Sequence, residues 1–139
     1  MSGTPDTPSS NGNKDKIYTA LVAEDDVERS RAIEILKDMG LQVFSTTRGD
    51  EALTLFYTIQ PDLMVLDVEL PGMIGWDIVR AIRNGQHGIR EPAFIFVTGY
   101  QDAGNRMMAR LQGVCYLPKP INPDDFKAAV NRALKSRCE

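Results

Sequence analysis

The stretch Pro-Asp-Leu-Met-Val-Leu-Asp-Val-Glu-Leu-Pro-Gly-Met-Ile-Gly (61–75) decides how the chain is read. Leu63 to Leu66 is an uninterrupted apolar run fenced by Pro61-Asp62 and Pro71-Gly72, the pattern of a short strand buried on both faces of a parallel sheet. Asp67 follows directly, so its carboxylate emerges at the strand's carboxyl end, the edge at which open α/β sheets bind ligands. Taken alone, the stretch fits an aspartate in a solvated loop equally well, and the rest of the chain has to choose.

On the amino-terminal side, Ile17 to Ala23 reads as a first buried strand that ends in Glu24-Asp25-Asp26. Three acids there suit a site, but acids also favour a helix start, and Asp26 fits either role. Val27 to Met39 has Ala32, Ile35, Leu36 and Met39 at helical spacing, with Gly40 as its left-handed stop. Leu41 to Ser45 is a second strand. A polar turn leads to a helix from Asp50 to Gln60 that buries Leu53, Phe56 and Ile59 and is stopped by Pro61.

On the carboxyl-terminal side, Trp76 to Asn84 is a helix with Ile78, Val79 and Ile82 inward and Trp76 as a packing residue. Ala93 to Val97 is a fourth strand, followed by Thr98-Gly99. A weaker helix, read as a mobile segment or a docking face, runs from Asp102 to Gln112, with Gly104 inside it and Met107, Met108 and Leu111 as its apolar positions. Val114 to Leu117 is a fifth strand closed by Pro118-Lys119-Pro120. The last helix has Asn122 as cap, Pro123 at its first position and Asp124 and Asp125 in its first turn. It buries Phe126, Ala129, Val130 and Ala133.

Residues 1–15 are nearly devoid of apolar side chains and cannot offset their ordering entropy, so they are expected to form a flexible tail. With 139 residues the chain fits one domain, here 16–139. A net charge of −3 gives no general reason to bind nucleic acid or an anionic membrane. Cys115 and Cys138 lack metal-site spacing and read as reduced thiols. His87, the only histidine, reads as a surface loop residue. No apolar run approaches the ~20 residues that cross a bilayer and no signal-peptide core opens the chain, so the expected location is cytoplasmic.

Five strand-helix units in alternation predict an α/β fold, a parallel sheet with helices on both faces. The residues that end strands one, three, four and five, Glu24/Asp25/Asp26, Asp67, Thr98 and Lys119, then meet at one edge. That convergence favours a site at Asp67. Clustered carboxylates repel unless protons or a cation neutralise them, and an all-oxygen set suits a hard divalent ion such as Mg2+. A metal, a lysine and a threonine hydroxyl can surround a transferring phosphoryl group. Asp67 on the middle strand is the candidate nucleophile and its product an aspartyl phosphate.

These pieces resemble the receiver domain of two-component response regulators across residues 16–137. The matching segments are Leu-Val-Ala-Glu-Asp-Asp (21–26), Pro-Asp-Leu-Met-Val-Leu-Asp (61–67) with Leu-Pro-Gly-Met (70–73), Phe-Val-Thr-Gly (96–99) and Tyr-Leu-Pro-Lys-Pro (116–120). The resemblance implies a flavodoxin-like fold with strand order 2-1-3-4-5. It implies that Asp67 accepts phosphate from a partner phosphohistidine, on a histidine kinase or a histidine phosphotransfer protein. Glu24, Asp25 and Asp67 would bind Mg2+ with the Glu69 carbonyl, Thr98 and Lys119 would contact the phosphoryl group, and Tyr116 would be the aromatic switch that follows Thr98. A cis bond would fall at Lys119-Pro120.

Glu69 and Tyr100 stand at positions that vary in the family and tune phosphoryl lifetime; the direction is open. Ile74 replaces a residue that is often polar or acidic, with no functional reading. An Asp-nucleophile phosphatase of the haloacid dehalogenase class is a rival, but it wants an aspartate two positions after the nucleophile, where Glu69 stands. A silent interaction module is a second rival, against which Asp67, Thr98 and Lys119 all speak. By analogy to the family, the signalling face is the fourth helix, fifth strand and fifth helix, with Arg106, Met107, Arg110, Lys127 and Arg132, toward a protein partner. A stand-alone regulator and a receiver from a hybrid kinase or larger regulator both fit, and a phosphorylation-linked dimer is allowed.

Overall fold

The computed structural model of the chain describes residues 16–99 and 103–138. Strands and helices alternate along it: β1 Thr19–Ala23, α1 Asp26–Asp38, β2 Gln42–Thr46, α2 Gly49–Ile59, β3 Leu63–Leu66, α3 Gly75–Asn84, β4 Ala93–Thr98, α4 Ala103–Gln112, β5 Cys115–Pro118 and α5 Pro123–Cys138. Every pairing is parallel and the order is β2-β1-β3-β4-β5, as the resemblance implied. The apolar run of the opening stretch is β3, the central strand, with Val65 opposite Val22 on β1 and Ile95 on β4.

Successive strand side chains point to opposite faces, which splits the core into two layers. Ala20, Val22, Leu63, Val65, Ile95 and Val97 pack with Ala32, Ile35 and Leu36 of α1 and Phe126, Ala129, Val130 and Leu134 of α5. Leu21, Ala23, Met64, Leu66, Phe94 and Phe96 pack with Ala52 and Phe56 of α2 and Ile78, Val79 and Ile82 of α3. Strands covered on both faces have to be apolar throughout, which is why alternation is missing from them.

Some local expectations shift. The first strand begins at Thr19 rather than Ile17, whose side chain is exposed. Helix α2 ends at Ile59, one residue early, because the residue before a proline is driven from the helical region; Gln60 turns left-handed at φ 53°. Its N–H still donates to the Phe56 carbonyl, 2.9 Å away. Leu53, Ile59 and Ala133 are only partly buried.

Helix α4 carries its apolar positions outward. Its three large apolar residues face solvent, Met107 at 57%, Met108 at 40% and Leu111 at 73% exposure, and the small Ala109 is the buried one. His87 is not a bland surface residue. It is half-buried, its Nδ1 accepts the Ile89 N–H at 2.9 Å, its Nε2 lies 3.0 Å from the Ile82 carbonyl, and its ring meets Phe56 and Tyr57 edge-on. Trp76 packs on Phe96 with ring centroids 4.3 Å apart, and its indole N–H donates to Asn105 at 2.9 Å. Cys115 is a free, half-buried thiol. No helix among the described residues is long and apolar enough to cross a membrane. The expectations for the tail at 1–15, for Asp102 and for Tyr100 lie outside the described residues.

Candidate functional site

The site is assembled at the carboxyl ends of the strands. The Asp67 N–H donates to the Ala23 carbonyl at 3.0 Å, continuing the β1–β3 ladder by one step and setting Asp67 beside Glu24 and Asp25. Behind it, the Gly75 N–H donates to the Val68 carbonyl at 2.8 Å, and a Cβ at Gly75 would sit 2.5 Å from the Asp67 carbonyl oxygen and inside the Phe96 ring contact. Only glycine lets the loop after Asp67 close this tightly on β4. At the far side Thr98 ends β4 opposite Pro118, and the Lys119 N–H donates to the Thr98 carbonyl at 3.1 Å. The Lys119-Pro120 bond is cis.

Lys119 is the hub of the cluster. Its Nζ donates to Asp67 Oδ2 and to Asp25 Oδ2, each at 2.7 Å, and lies 3.1 Å from Glu24 Oε1. Glu24 is fully buried, and neither of its side-chain oxygens has a hydrogen-bond partner, so the Lys119 ion pair is the polar contact its carboxylate keeps. Asp67 is 8% exposed, with Oδ1 accepting the Glu69 N–H at 3.2 Å. Asp25 is more open. It caps α1, its Oδ1 accepting the Glu28 N–H at 3.0 Å.

Charge follows from these contacts. Burial pushes the Glu24 carboxyl up from 4.5 to about 8; Lys119 opposes the shift, while Asp67 and Asp25 add to it. Hydrogen bonds from Lys119 and then from the Glu28 N–H hold Asp25 below its usual value. Burial works against the Lys119 ammonium, but the hydrogen bonds it donates to Asp25 and Asp67 and the nearby acid charges outweigh it and raise its pKa.

Oxygens of Glu24, Asp25 and Asp67 all lie within 4.8 Å of one another. A buried carboxylate without a donor, in an all-oxygen acid set, is the donor chemistry that a hard divalent cation takes up, so these residues fit such an ion. Beside them Asp25, Asp26, Thr47, Glu69, Leu70 and Pro71 line an open cavity of about 290 Å³.

Glu24, Asp25, Asp67 and Lys119 are thus brought into direct contact, and buried Thr98 is tied to Lys119 through the backbone. Glu69 turns its side chain to solvent at the cavity rim. Tyr116 is half-buried on β5, against the α2/α3 core layer and opposite Phe96. Asp26 is not part of the cluster: it opens α1 and pairs with Arg29 at 2.8 Å on the surface. Sequence reasoning passed over Glu28, which is buried and whose Oε1 accepts the Ile121 N–H at 3.1 Å. An acid three residues after a capping Asp is a capping-box signal. Here the Asp25 half of the box forms, while the Glu28 side chain reaches across to the loop after Lys119.

The family model of the response regulator receiver domain matches residues 20–131. The chain is 28% identical over 123 residues to the sensory transduction protein LytT of Oceanobacillus iheyensis, covering 87% of this chain and 49% of that protein. It is 30% identical over 117 residues to the cell cycle transcriptional regulator CtrA of Caulobacter vibrioides, covering 83% and 49%. It therefore spans about half the length of these curated relatives. Among solved structures, the BeF3-activated N-terminal receiver domain of RstA from Klebsiella pneumoniae superposes with a TM-score of 0.71 at 26% identity, covering 84% of this chain and 97% of that one. Fold, strand-end acids, lysine and sequence match agree, and the chain belongs to the response regulator receiver domain family of two-component systems.

Proposed function

We propose that Asp67 accepts a phosphoryl group from the phosphohistidine of a histidine kinase or histidine phosphotransfer protein, and that the aspartyl phosphate signals to a downstream protein. The observation that carries this reading is the Lys119 ammonium held 2.7 Å from Asp67 Oδ2 at the end of the central strand, inside a three-acid cluster. Glu24, Asp25, Asp67 and the Glu69 carbonyl would hold Mg2+, which would supply neutralising charge for the phosphoryl oxygens. An Asp67 oxygen attacks phosphorus, the P–N bond breaks, and the imidazole leaves with its electron pair. Lys119 is already ion-paired to the acceptor carboxylate and follows the charge onto the phosphoryl oxygens, so little reorganisation accompanies the step. The Thr98 hydroxyl donates to the same group.

Thr98 stands two residues after Phe96, which is in register with Tyr116. A shift of Thr98 toward the phosphoryl group thereby opens room for Tyr116 to turn inward. The readout face is α4, β5 and α5, where Arg106, Met107, Arg110, Lys127 and Arg132 are exposed. Phosphorylation shifts a two-state equilibrium there, allows a phosphorylation-linked dimer, and acts through protein rather than nucleic-acid contact, in the cytoplasm. Glu69 and Tyr100 set the phosphoryl lifetime.

The test is intact mass after incubation with Mg2+ and acetyl phosphate. One phosphoryl adduct is expected, absent from Asp67→Ala and from a metal-free sample. A folded wild-type protein that takes up no phosphoryl group and binds no beryllofluoride overturns the reading.

A further inference from the structure

Glu28 is 7% exposed, and a carboxyl so deeply buried calls for a partner. Its partner lies 93 residues away: Oε1 accepts the backbone N–H of Ile121, at 3.1 Å. The segment it holds is unusual in its donors. Pro118 and Pro120 have no N–H, so between residues 118 and 121 the backbone offers only those of Lys119 and Ile121. The first donates to the Thr98 carbonyl at 3.1 Å and the second to Glu28. Both anchors of the Lys119 segment are therefore accounted for, one on β4 and one on α1.

The α1 anchor is placed to matter for the site. The same residue donates its backbone N–H to Asp25 Oδ1 at 3.0 Å, while Asp25 Oδ2 receives Lys119 Nζ at 2.7 Å. One turn of α1 thus holds both the acid that meets the lysine and the loop that delivers the lysine. We infer that Glu28 is a positioning residue for Lys119, fixing the lysine's reach to Asp67 by clamping Ile121; this rests on the proposed phosphoryl transfer to Asp67.

The substitution Glu28→Ala removes the clamp but leaves the backbone N–H on Asp25 intact. The initial rate of phosphoryl uptake from acetyl phosphate should fall about 10- to 100-fold, the usual effect of misplacing a reacting group by an ångström. Mg2+ affinity by calorimetry should stay within about twofold, since no proposed ligand is moved. Glu28→Gln keeps an acceptor oxygen at the same reach and should restore the rate. Glu28→Asp keeps the carboxyl but retracts it by one methylene, and should be slow like Ala; it serves if the Ala variant does not fold. In a Lys119→Ala background, adding Glu28→Asp should change the residual rate by less than about twofold, because residues acting through one group are not additive.

Equal rates for folded Glu28→Asp and wild type overturn the proposal, as does a full additional loss in the Lys119→Ala background. Those outcomes leave the function standing, because wild type still takes up the phosphoryl group. A folded wild type that takes up none and binds no beryllofluoride overturns both.

Discussion

Glu24 is the sharpest test of the electrostatics, because it is fully buried, its two oxygens lack hydrogen-bond donors, and burial lifts its pKa from 4.5 to about 8. The sign follows from proton counting. The unfolded chain releases this proton near 4.5, while the folded protein keeps it until about 8. Between those values the folded state binds more protons, so this group's contribution to stability falls as pH rises and is lost once both states are ionised. At about 1.4 kcal/mol per pKa unit, the metal-free protein should lose roughly 3 kcal/mol through Glu24 between about pH 5 and pH 8. Glu24→Gln has the same shape and no charge to bury. In chelator, the variant should be close to wild type at the acid end and more stable at the alkaline end. The gap in Tm should widen by roughly 10 °C, at about 4 °C per kcal/mol for a domain of this size. Circular dichroism melts of both proteins across the range measure it, and other titrating groups cancel in the difference. A gap that stays constant with pH would refute the argument, since the buried carboxyl would then ionise without penalty.

The same proton gives a binding prediction: Mg2+ should release about one proton near pH 7 and bind more tightly as pH rises toward 8, which calorimetry in buffers of different ionisation enthalpy reads directly. Gly75→Ala drives a Cβ against the Asp67 carbonyl and the Phe96 ring and should cost about 1–3 kcal/mol in urea unfolding while slowing phosphoryl uptake; a neutral result would mean the loop after Asp67 yields freely. Leu111→Gln, at a position 73% exposed on α4, should change stability by less than about 0.5 kcal/mol. A loss several times larger would place Leu111 in the core.

Much of this protein is written locally. The runs at 63–66 and 93–97, the apolar spacing of Ile78, Val79 and Ile82, and the prolines around Lys119 each act over a few residues, so they reveal strands, helices and turns without the rest of the chain. Alternation of the two element types then sends every strand's carboxyl end to one edge. That is why Glu24, Asp25, Asp67, Thr98 and Lys119 could be grouped from sequence, although they lie far apart along it.

What tertiary structure decided is how equal-looking residues differ. Three consecutive acids follow β1, yet packing buries Glu24, makes Asp25 a cap bonded to Lys119, and leaves Asp26 to pair with Arg29 at the surface. On α4 the apolar positions Met107, Met108 and Leu111 were legible, but it is packing that leaves them exposed and buries only Ala109, because the helix meets little of the core. His87 and Glu28 depend on partners that no local pattern names: the rings of Phe56 and Tyr57 for one, the Ile121 amide for the other. Periodicity is set by the backbone's own repeat and is therefore legible in order of sequence. Burial and the pairing of polar atoms arise where distant segments are packed together, so they exist only once the sheet has closed against its helices.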